Sequence, residues 1–186
     1  MSMIDDILTF WFGNADPAEE CENRQAWFMA DSDFDAEIEK RFLSEVEAAA
    51  EGARDSWTET AAGSLALCIL LDQFPRNLFR GSERAFATDA KAREIASAAL
   101  DAGHDQAMAA VKRTFLYLPF EHSEDINDQI RSVELFRALG NEDNYRYALE
   151  HHYVISRFGR FPTRNAALAR TSTPDEAAFL ASFDAF

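Results

Sequence analysis

The sequence contains few of the residues that cross-link small proteins or interrupt helices. Its 186 residues include two Cys, seven Gly and five Pro. Cys21 and Cys68 lie in unrelated surroundings and no CxxC pair is present, so we predict no disulfide framework. Disulfides are rare in proteins of reducing compartments. Since this sequence predicts none, we expect a cytoplasmic protein.

Long hydrophobic runs are also missing. The longest stretch without a charged residue, residues 60–71, has 12 residues, whereas a membrane-spanning helix requires ~18 or more. At the N-terminus, Asp5 and Asp6 precede a short apolar segment that Thr9 interrupts. A signal peptide has a basic flank at this place instead. We therefore expect no membrane partner.

Positive charge is scarce, and aromatic residues are abundant. The chain has 18 Lys and Arg against 33 Asp and Glu, a net charge of −15 at pH 7. A phosphate backbone would be repelled at long range, so we expect no nucleic-acid partner. The 16 Phe, four Tyr and three Trp need a dry interior. Length and composition together predict one folded domain over residues 1–186.

The spacing of apolar residues predicts eight helices. In the first, Ile4, Ile7, Leu8 and Trp11 form one helical stripe. The second carries Phe34 to Val46, and the third, Thr60–Phe74, is apolar on all sides and is therefore predicted to be central. The fifth carries Val111, Phe115 and Leu118, and we expect Pro119 to end or kink it. The sixth runs from Ile126 through Phe136.

Capping residues and glycines mark the helix ends. Residues 31–33, Ser82, Asn141 and Thr173 are the predicted N-caps of the second, fourth, seventh and eighth helices. Glycines follow the first, second, fourth, sixth and seventh helices at positions 13, 52, 103, 140 and 159. No segment alternates as a strand does, so the predicted class is all-α. Short connections predict an array of about eight to nine helices packed as antiparallel hairpins.

Arginine dominates the few basic residues and is concentrated late in the chain. Only three of the 18 bases are Lys, and residues 145–170 contain five Arg against Glu150 alone. Arginine binds carboxylates and phosphates with two parallel hydrogen bonds, which favours an anionic ligand. In so acidic a protein, the arginines can equally pair with its own carboxylates. Both interpretations stay open at this point.

The first unusual block spans residues 71–81. Asp72 places a charge on an otherwise apolar helix and needs a partner, for which Arg76 or Arg80 is nearest in sequence. In structural terms, this block is a helix end made rigid by Pro75 and Gly81. In functional terms, it is a loop that presents two guanidinium groups together with Asn77.

The second block spans residues 117–131. On a helix, its carboxylates would form a single acidic stripe, at positions 121, 124, 125 and 128. His122 and Asp125 would then be three residues apart and could touch, as a general base and its orienting group do. Four carboxylates on one face need positive charge opposite, either arginines or a divalent ion. Ser123 would point ~100° away from His122, which argues against a serine nucleophile.

Metal and cofactor motifs do not fit the sequence. The Glu-x-x-His pairs of di-iron proteins and the HExxH motif are absent. His151 and His152 are adjacent, so they would face apart on a helix and could not chelate one ion. We expect His152 to be a core residue and His104 a surface residue. No metal site and no cofactor are predicted.

The third block, residues 155–165, alternates aromatic residues with arginines around Gly159 and Pro162. The rings can anchor a turn while the guanidinium groups face outward, or the arginines can stack on the rings. A single glycine does not make a phosphate-binding loop.

These three blocks resemble those of a known protein family. Residues 72–77, 115–124 and 157–165 read DQFPRN, FLYLPFEHSE and RFGRFPTRN. They resemble the hallmark blocks of a widespread bacterial family, domain-of-unknown-function family 924, and residues 8–13 and 172–176 match it too. The resemblance implies a tetratricopeptide-like all-α fold and no established activity, cofactor or catalytic residue. Thr163 stands where the family pattern often has His, so a reaction that needs that imidazole is not implied.

Three functions remain in competition. The first is a binding module in which the three blocks line one concave face that receives a small anionic ligand or an acidic peptide end. Its predicted ligand-binding residues are Arg76, Asn77, Arg80, Tyr117, Glu121, Arg157, Arg160 and Arg164, with a hydrogen bond from His122. The second is a hydrolase-type enzyme that uses His122 as general base, oriented by Asp125 or Glu121. The third is an interaction protein in which the arginine–carboxylate pairs only hold helices together.

Overall fold

Helices make up the regular structure of this chain. The structure is a computed structural model, and it describes residues 2–27 and 29–182. No strand occurs in these residues, which confirms the all-α prediction. The α-helices are α1 (Met3–Phe12), α2 (Ser32–Ala50), α3 (Ala61–Cys68), α4 (Phe74–Leu78), α5 (Asp89–Asp101), α6 (Ala110–Glu121), α7 (Ile126–Leu139), α8 (Glu142–Phe158) and α9 (Pro174–Ser182).

The chain forms two compact units. The first contains the described residues up to Arg80 together with Arg84–Pro119, and the second contains Gly81–Glu83 and the described residues from Phe120 onward. The single-domain organisation and the tetratricopeptide-like arrangement stay predictions. None of the helices in the described residues is long and apolar enough to cross a membrane.

The predicted end of the first helix at Gly13 and the predicted cap of the second are confirmed. Ser2 and Asp5 form a capping box at the start of α1, and Gly13 ends the helix in the left-handed conformation with φ 89°. The carboxylate of Asp31 accepts hydrogen bonds from the N–H groups of Asp33 and Phe34 at the start of α2. Local hydrogen bonds therefore set these boundaries.

The predicted central helix is confirmed, with a different internal geometry. Thr60 caps α3, a π-helical segment (Ile69–Gln73) follows it directly, and α4 continues to Leu78. Every residue from Gly63 to Pro75 is buried. Pro75 lies in the first turn of α4, where a missing N–H costs little. The helical path thus extends past the predicted end at Phe74.

An aromatic cluster fills the core of the first unit. Trp11 stacks on Trp27 and meets the rings of Phe34, Phe74 and Phe115 at centroid distances of 5.6 to 6.1 Å. Four helices, α1, α2, α4 and α6, and the short turn Gln25–Trp27 are joined in this way. Burial of such rings is the main stabilising term of a core this size.

The predicted start of the fourth helix is wrong. The helix α5 begins at Asp89, not after Ser82, and residues Glu83–Ala85 form a single 3₁₀ turn. Contacts from distant residues hold this segment. The guanidinium of Arg76 lies over the ring of Phe86, and the Thr88 hydroxyl donates a hydrogen bond to the Leu71 carbonyl.

Of the two effects predicted for Pro119, ending the fifth helix does not occur, because α6 continues to Glu121 with Pro119 inside it. The amide nitrogen of Gln129 donates to the carbonyls of Glu121 and Ser123, at 2.6 and 2.7 Å. These bonds satisfy carbonyl groups that the end of a helix leaves without partners. The side chain of Gln129 therefore sets where this helix ends.

The second unit is built on a helical hairpin. Gly140, with φ 82°, ends α7, and Asn141 caps α8 by accepting from the N–H of Asn144. Since only these two residues connect α7 and α8, the helices run antiparallel, as predicted. Thr173 and Glu176 hydrogen-bond each other's backbone N–H at the start of α9. A small core of Val154, Ile155, Phe161 and Phe179 joins α8 to α9.

Lys112 on α6 is fully buried, which is rare for lysine. Its Nζ donates hydrogen bonds to Asn14 Oδ1 and to the carbonyl of Asp16, and it lies 5.3 Å from the centre of the Phe12 ring. Burial lowers the pKa of Lys112. One side chain thus ties the irregular segment after α1 to α6 within the first unit.

We predict that Lys112→Met lowers the free energy of unfolding by about 1–3 kcal/mol, because two acceptors lose a charged donor. Urea denaturation monitored by tryptophan fluorescence measures this loss. The control is Lys40→Met on α2, where the side chain is 78% exposed and a change below about 0.5 kcal/mol is expected. Equal stability of the two variants would contradict the role given to Lys112.

Candidate functional site

The residues predicted as a site are divided between the two units. Four lie in the first unit, at positions 76, 77, 80 and 117, and the others lie in the second.

Arg76 is the partner that the buried Asp72 requires. Asp72 is fully buried, and its Oδ1 lies 3.2 Å from Nη1 of Arg76. Both terminal nitrogens of Arg76 also donate to the carboxylate of Asp89, at 2.9 and 3.0 Å. Burial acts to lower the pKa of Arg76, but the two carboxylates more than offset this, so the pKa is raised. The guanidinium is held between two acids of its own chain.

Asn77 and Arg80 share one carboxylate on α2. The Asn77 amide donates to Asp35 Oδ1 at 2.7 Å, and Arg80 donates to both Asp35 oxygens at 3.0 and 3.2 Å. This pair joins α4 to α2. Both side chains therefore bind a carboxylate of their own unit.

Tyr117 is buried, with 4% of its surface exposed. Its hydroxyl donates to Asp105 Oδ2 at 2.9 Å. Burial, reinforced by this carboxylate, raises the pKa of Tyr117. The phenol is thus neutral and engaged inside the first unit.

The predicted acidic stripe does not exist, because the second block is not one helix. The helix α6 ends at Glu121, and α7 begins at Ile126. Asp125 is the exposed N-cap of α7 and accepts from the N–H of Asn127 at 2.7 Å. Asp128 accepts from the Ser123 hydroxyl at 2.6 Å. The helical spacing on which the His122–Asp125 pair was predicted is therefore wrong.

Glu124 connects the second block to the third. It accepts from Arg170 Nη1 and Nη2, at 2.7 and 3.0 Å, and from the backbone N–H of Phe161 at 2.8 Å. Burial alone would raise the pKa of Glu124, but these hydrogen bonds outweigh it, so the pKa lies below its ordinary value. A charged Glu124 therefore holds the segment that follows α8.

That segment brings Arg164 next to His122. Nη2 of Arg164 donates to the carbonyl of His122 at 2.9 Å, and the guanidinium lies 4.5 Å from the centre of the Phe161 ring. Arg164 therefore stacks on Phe161, a ring of its own block, which is one of the two arrangements predicted for the third block. Two predicted site residues, 42 positions apart, meet through this bond.

His151 belongs to the same group, which the sequence reasoning missed. Its ring lies 5.5 Å from that of Phe161 and 6.5 Å from that of His122, measured between centroids. Its Nδ1 lies 2.9 Å from the Tyr147 carbonyl and 3.6 Å from Oε1 of Glu121, whose residue is 4% exposed. The adjacent His152 faces elsewhere and approaches the Ser156 hydroxyl, so the prediction that the two rings diverge is correct.

We call the group of Glu121, His122, His151, Phe161 and Arg164 the imidazole cluster. It combines a guanidinium, two rings able to donate or accept protons, and a buried carboxylate. Its histidines and its arginine are each partly accessible to solvent. No set of three metal-binding side chains occurs in the described residues. Guanidinium groups are of the kind that binds carboxylates and phosphates, and imidazoles are of the kind that exchanges protons near neutral pH.

Arg160 and Arg157 lie beside the cluster with contacts of their own. Arg160 donates to both Glu176 oxygens, at 2.6 and 2.8 Å, and its Nη2 donates to the Thr171 carbonyl. The hydrogen bond from Arg160 lowers the pKa of Glu176 to about 2. Arg157, on the exposed side of α8, donates to the Tyr153 hydroxyl and stacks on Phe158.

Comparison with known proteins gives a family but no activity. The sequence profile of the family described as "Bacterial protein of unknown function (DUF924)" matches residues 7–184. A solved structure, that of the protein of unknown function ATU0120 from Agrobacterium tumefaciens, is 44% identical. It superposes with a TM-score of 0.88, covering 97% of this chain and 98% of that chain. No curated protein matches the chain.

We predict that Glu176 stabilises the fold above about pH 4.5 and that this contribution is lost as the pH falls toward 2. The pKa is about 2 in the folded state and ~4.3 in the unfolded chain, so unfolding takes up a proton between these values. Urea denaturation of wild type and Glu176→Gln from pH 7 to pH 2.5 measures the difference in unfolding free energy.

The stability difference should be constant near neutral pH and should shrink in acid. Glu39→Gln, an exposed position on α2, is the control and should show a small difference throughout. A difference between wild type and Glu176→Gln that grows below pH 4 would contradict the assignment.

Proposed function

Since the chain belongs to the bacterial family of unknown function DUF924, we propose a function from the chemistry of its own residues: it binds a small anionic ligand at the imidazole cluster. The observation that carries this proposal is that Arg164 and His151 both lie against the ring of Phe161, while the ring of His122 lies 6.5 Å from that of His151. The ligand class is a small molecule with a phosphate or carboxylate group.

The geometry of Arg164 supports this ligand class. Its hydrogen bond to the His122 carbonyl and its stacking on Phe161 hold the guanidinium plane in one orientation. A planar guanidinium held in this way matches the two oxygens of a carboxylate or phosphate. Less side-chain entropy is then lost on binding, because the arginine is already ordered.

Other residues of the second unit hold the rest of the imidazole cluster in position without a ligand. Glu124 holds the backbone of Phe161 and the guanidinium of Arg170 at the same time. Glu121 and the Tyr147 carbonyl flank Nδ1 of His151. These groups position the residues that would touch the ligand, and they need not touch it themselves.

For Arg76, Arg80 and Arg160, we propose the structural role. Each donates two hydrogen bonds to a carboxylate of its own unit, on Asp89, Asp35 and Glu176 respectively. Those bonds use the donor geometry that an anionic ligand would need. Two of the competing hypotheses thus apply to different arginines of the same chain.

A thermal-shift screen with inorganic phosphate, nucleoside phosphates and small carboxylates tests the ligand proposal. We predict that at least one compound raises the melting temperature of the wild type. Arg164→Gln should weaken binding of that compound roughly 10- to 150-fold, which corresponds to the ~1.5–3 kcal/mol of a charge-assisted hydrogen bond. Titration calorimetry measures this change.

Two variants separate binding from stability. Arg160→Gln should lower the melting temperature and leave the affinity unchanged. Arg146→Gln, an exposed position of α8 that pairs with Asp143 and Glu150, should change neither quantity. A screen without any shift, or an affinity that survives Arg164→Gln, would exclude the proposed site.

A further inference from the structure

We infer that the imidazole cluster takes up a proton when it binds its anion, so that the protein is a proton-coupled anion binder. The inference rests on the proposed function and adds the chemistry by which the site accepts negative charge. It depends on the placement of His151 and His122 and on the charges around them.

The hydrogen bond of His151 fixes which nitrogen exchanges the proton. A carbonyl oxygen can only accept, so Nδ1 carries the proton that is donated to Tyr147. In the neutral ring, Nε2 then holds the lone pair, and protonation occurs there. This assignment leaves the Nδ1 contact intact in both charge states.

The carboxylate of Glu121 stabilises the charged form of this ring. Its Oε1 is 3.6 Å from Nδ1, beyond hydrogen-bond range but close enough for a strong attraction in a buried place. The ring of His122 lies next to that of His151. An anion placed against both rings would add a second attraction for the same proton.

Acidic residues outnumber basic ones in the described part of the second unit from Phe120 onward. This stretch contains ten Asp and Glu, at positions 121, 124, 125, 128, 134, 142, 143, 150, 175 and 176. It contains seven Arg, at positions 131, 137, 146, 157, 160, 164 and 170. His152 on α8 is the third imidazole of this stretch.

An incoming anion therefore meets no net positive charge in this surrounding. Two of the guanidiniums are bound to Glu124 and Glu176, and Arg146 lies near Glu150. A proton on the His122–His151 pair supplies the missing charge. An imidazole is the group that can supply it near neutral pH, because its charge changes in this range.

Sulfate is the probe, because it stays a dianion between pH 6 and 8 and releases or takes up no proton itself. Calorimetric titrations of the full chain at pH 7 in buffers of different ionisation enthalpy measure the protons taken up per sulfate. We expect net uptake, and an affinity that falls by up to about tenfold per pH unit above the imidazole range.

The histidine variants locate the proton. His151→Gln and His122→Gln should each reduce the uptake, whereas His152→Gln, one residue away on the same helix, should leave it unchanged. Circular dichroism checks that each variant is folded. If one of the two cluster variants does not fold, the proton uptake of the other is compared with that of His152→Gln.

The outcomes distinguish this inference from the proposed function. Sulfate binding that is lost in Arg164→Gln but shows no buffer-dependent heat would overturn the proton coupling and leave the anion site in place. Uptake that persists in His151→Gln and His122→Gln, or disappears in His152→Gln, would overturn the assignment. If neither sulfate nor any compound of the thermal-shift screen binds, the proposed function and the inference fall together.

Discussion

The pairing of arginine with carboxylate inside an acidic chain is the interaction on which the rest of this structure depends. Asp72, fully buried on the central helical path, is compatible with folding because Arg76 lies against it. Glu124 and Arg170 play the corresponding part in the second unit. A buried charge without such a partner would cost several kcal/mol, so these pairs fix where the segments that carry them can lie.

In the second unit, the same kind of pair creates the conditions for a site. Glu124 accepts from the Phe161 backbone as well as from Arg170, so one carboxylate sets the course of the chain after α8. That course places Arg164 against the His122 carbonyl and Phe161 beside His151. The arginines that hold helices and the arginine proposed to bind a ligand are therefore parts of one arrangement with separate tasks.

The features that could be predicted from the sequence are those that local interactions decide. The caps at Asp31 and Asn141 and the left-handed Gly140 act within a few residues, so their positions were readable. The late start of α5 could not be predicted, because Arg76 and Leu71, which are distant in sequence, hold the segment before it. In the same way, the break after Glu121 depends on Gln129.

The candidate site was predictable in composition and not in arrangement. The sequence named Glu121, His122 and Arg164, but it also grouped them with Asp125, whose capping role at α7 takes it off the predicted stripe. His151 was considered only as one of two adjacent histidines. Its place in the cluster depends on how α8 packs against the end of α6, and helical periodicity within α8 contains no information about that contact.

The charges close to the cluster, and not the net charge of the chain, explain why such a site would need a proton. Residues 1–72 contain 17 acids and four bases, whereas residues 73–186 contain 16 acids and 14 bases. At physiological ionic strength, charges separated by more than about 8 Å are largely screened. Attraction for an anion must then come from groups in direct contact with it. Arg76, Arg80, Arg160 and Arg170 are each paired with a carboxylate of their own unit, so the charge that remains adjustable is that of an imidazole.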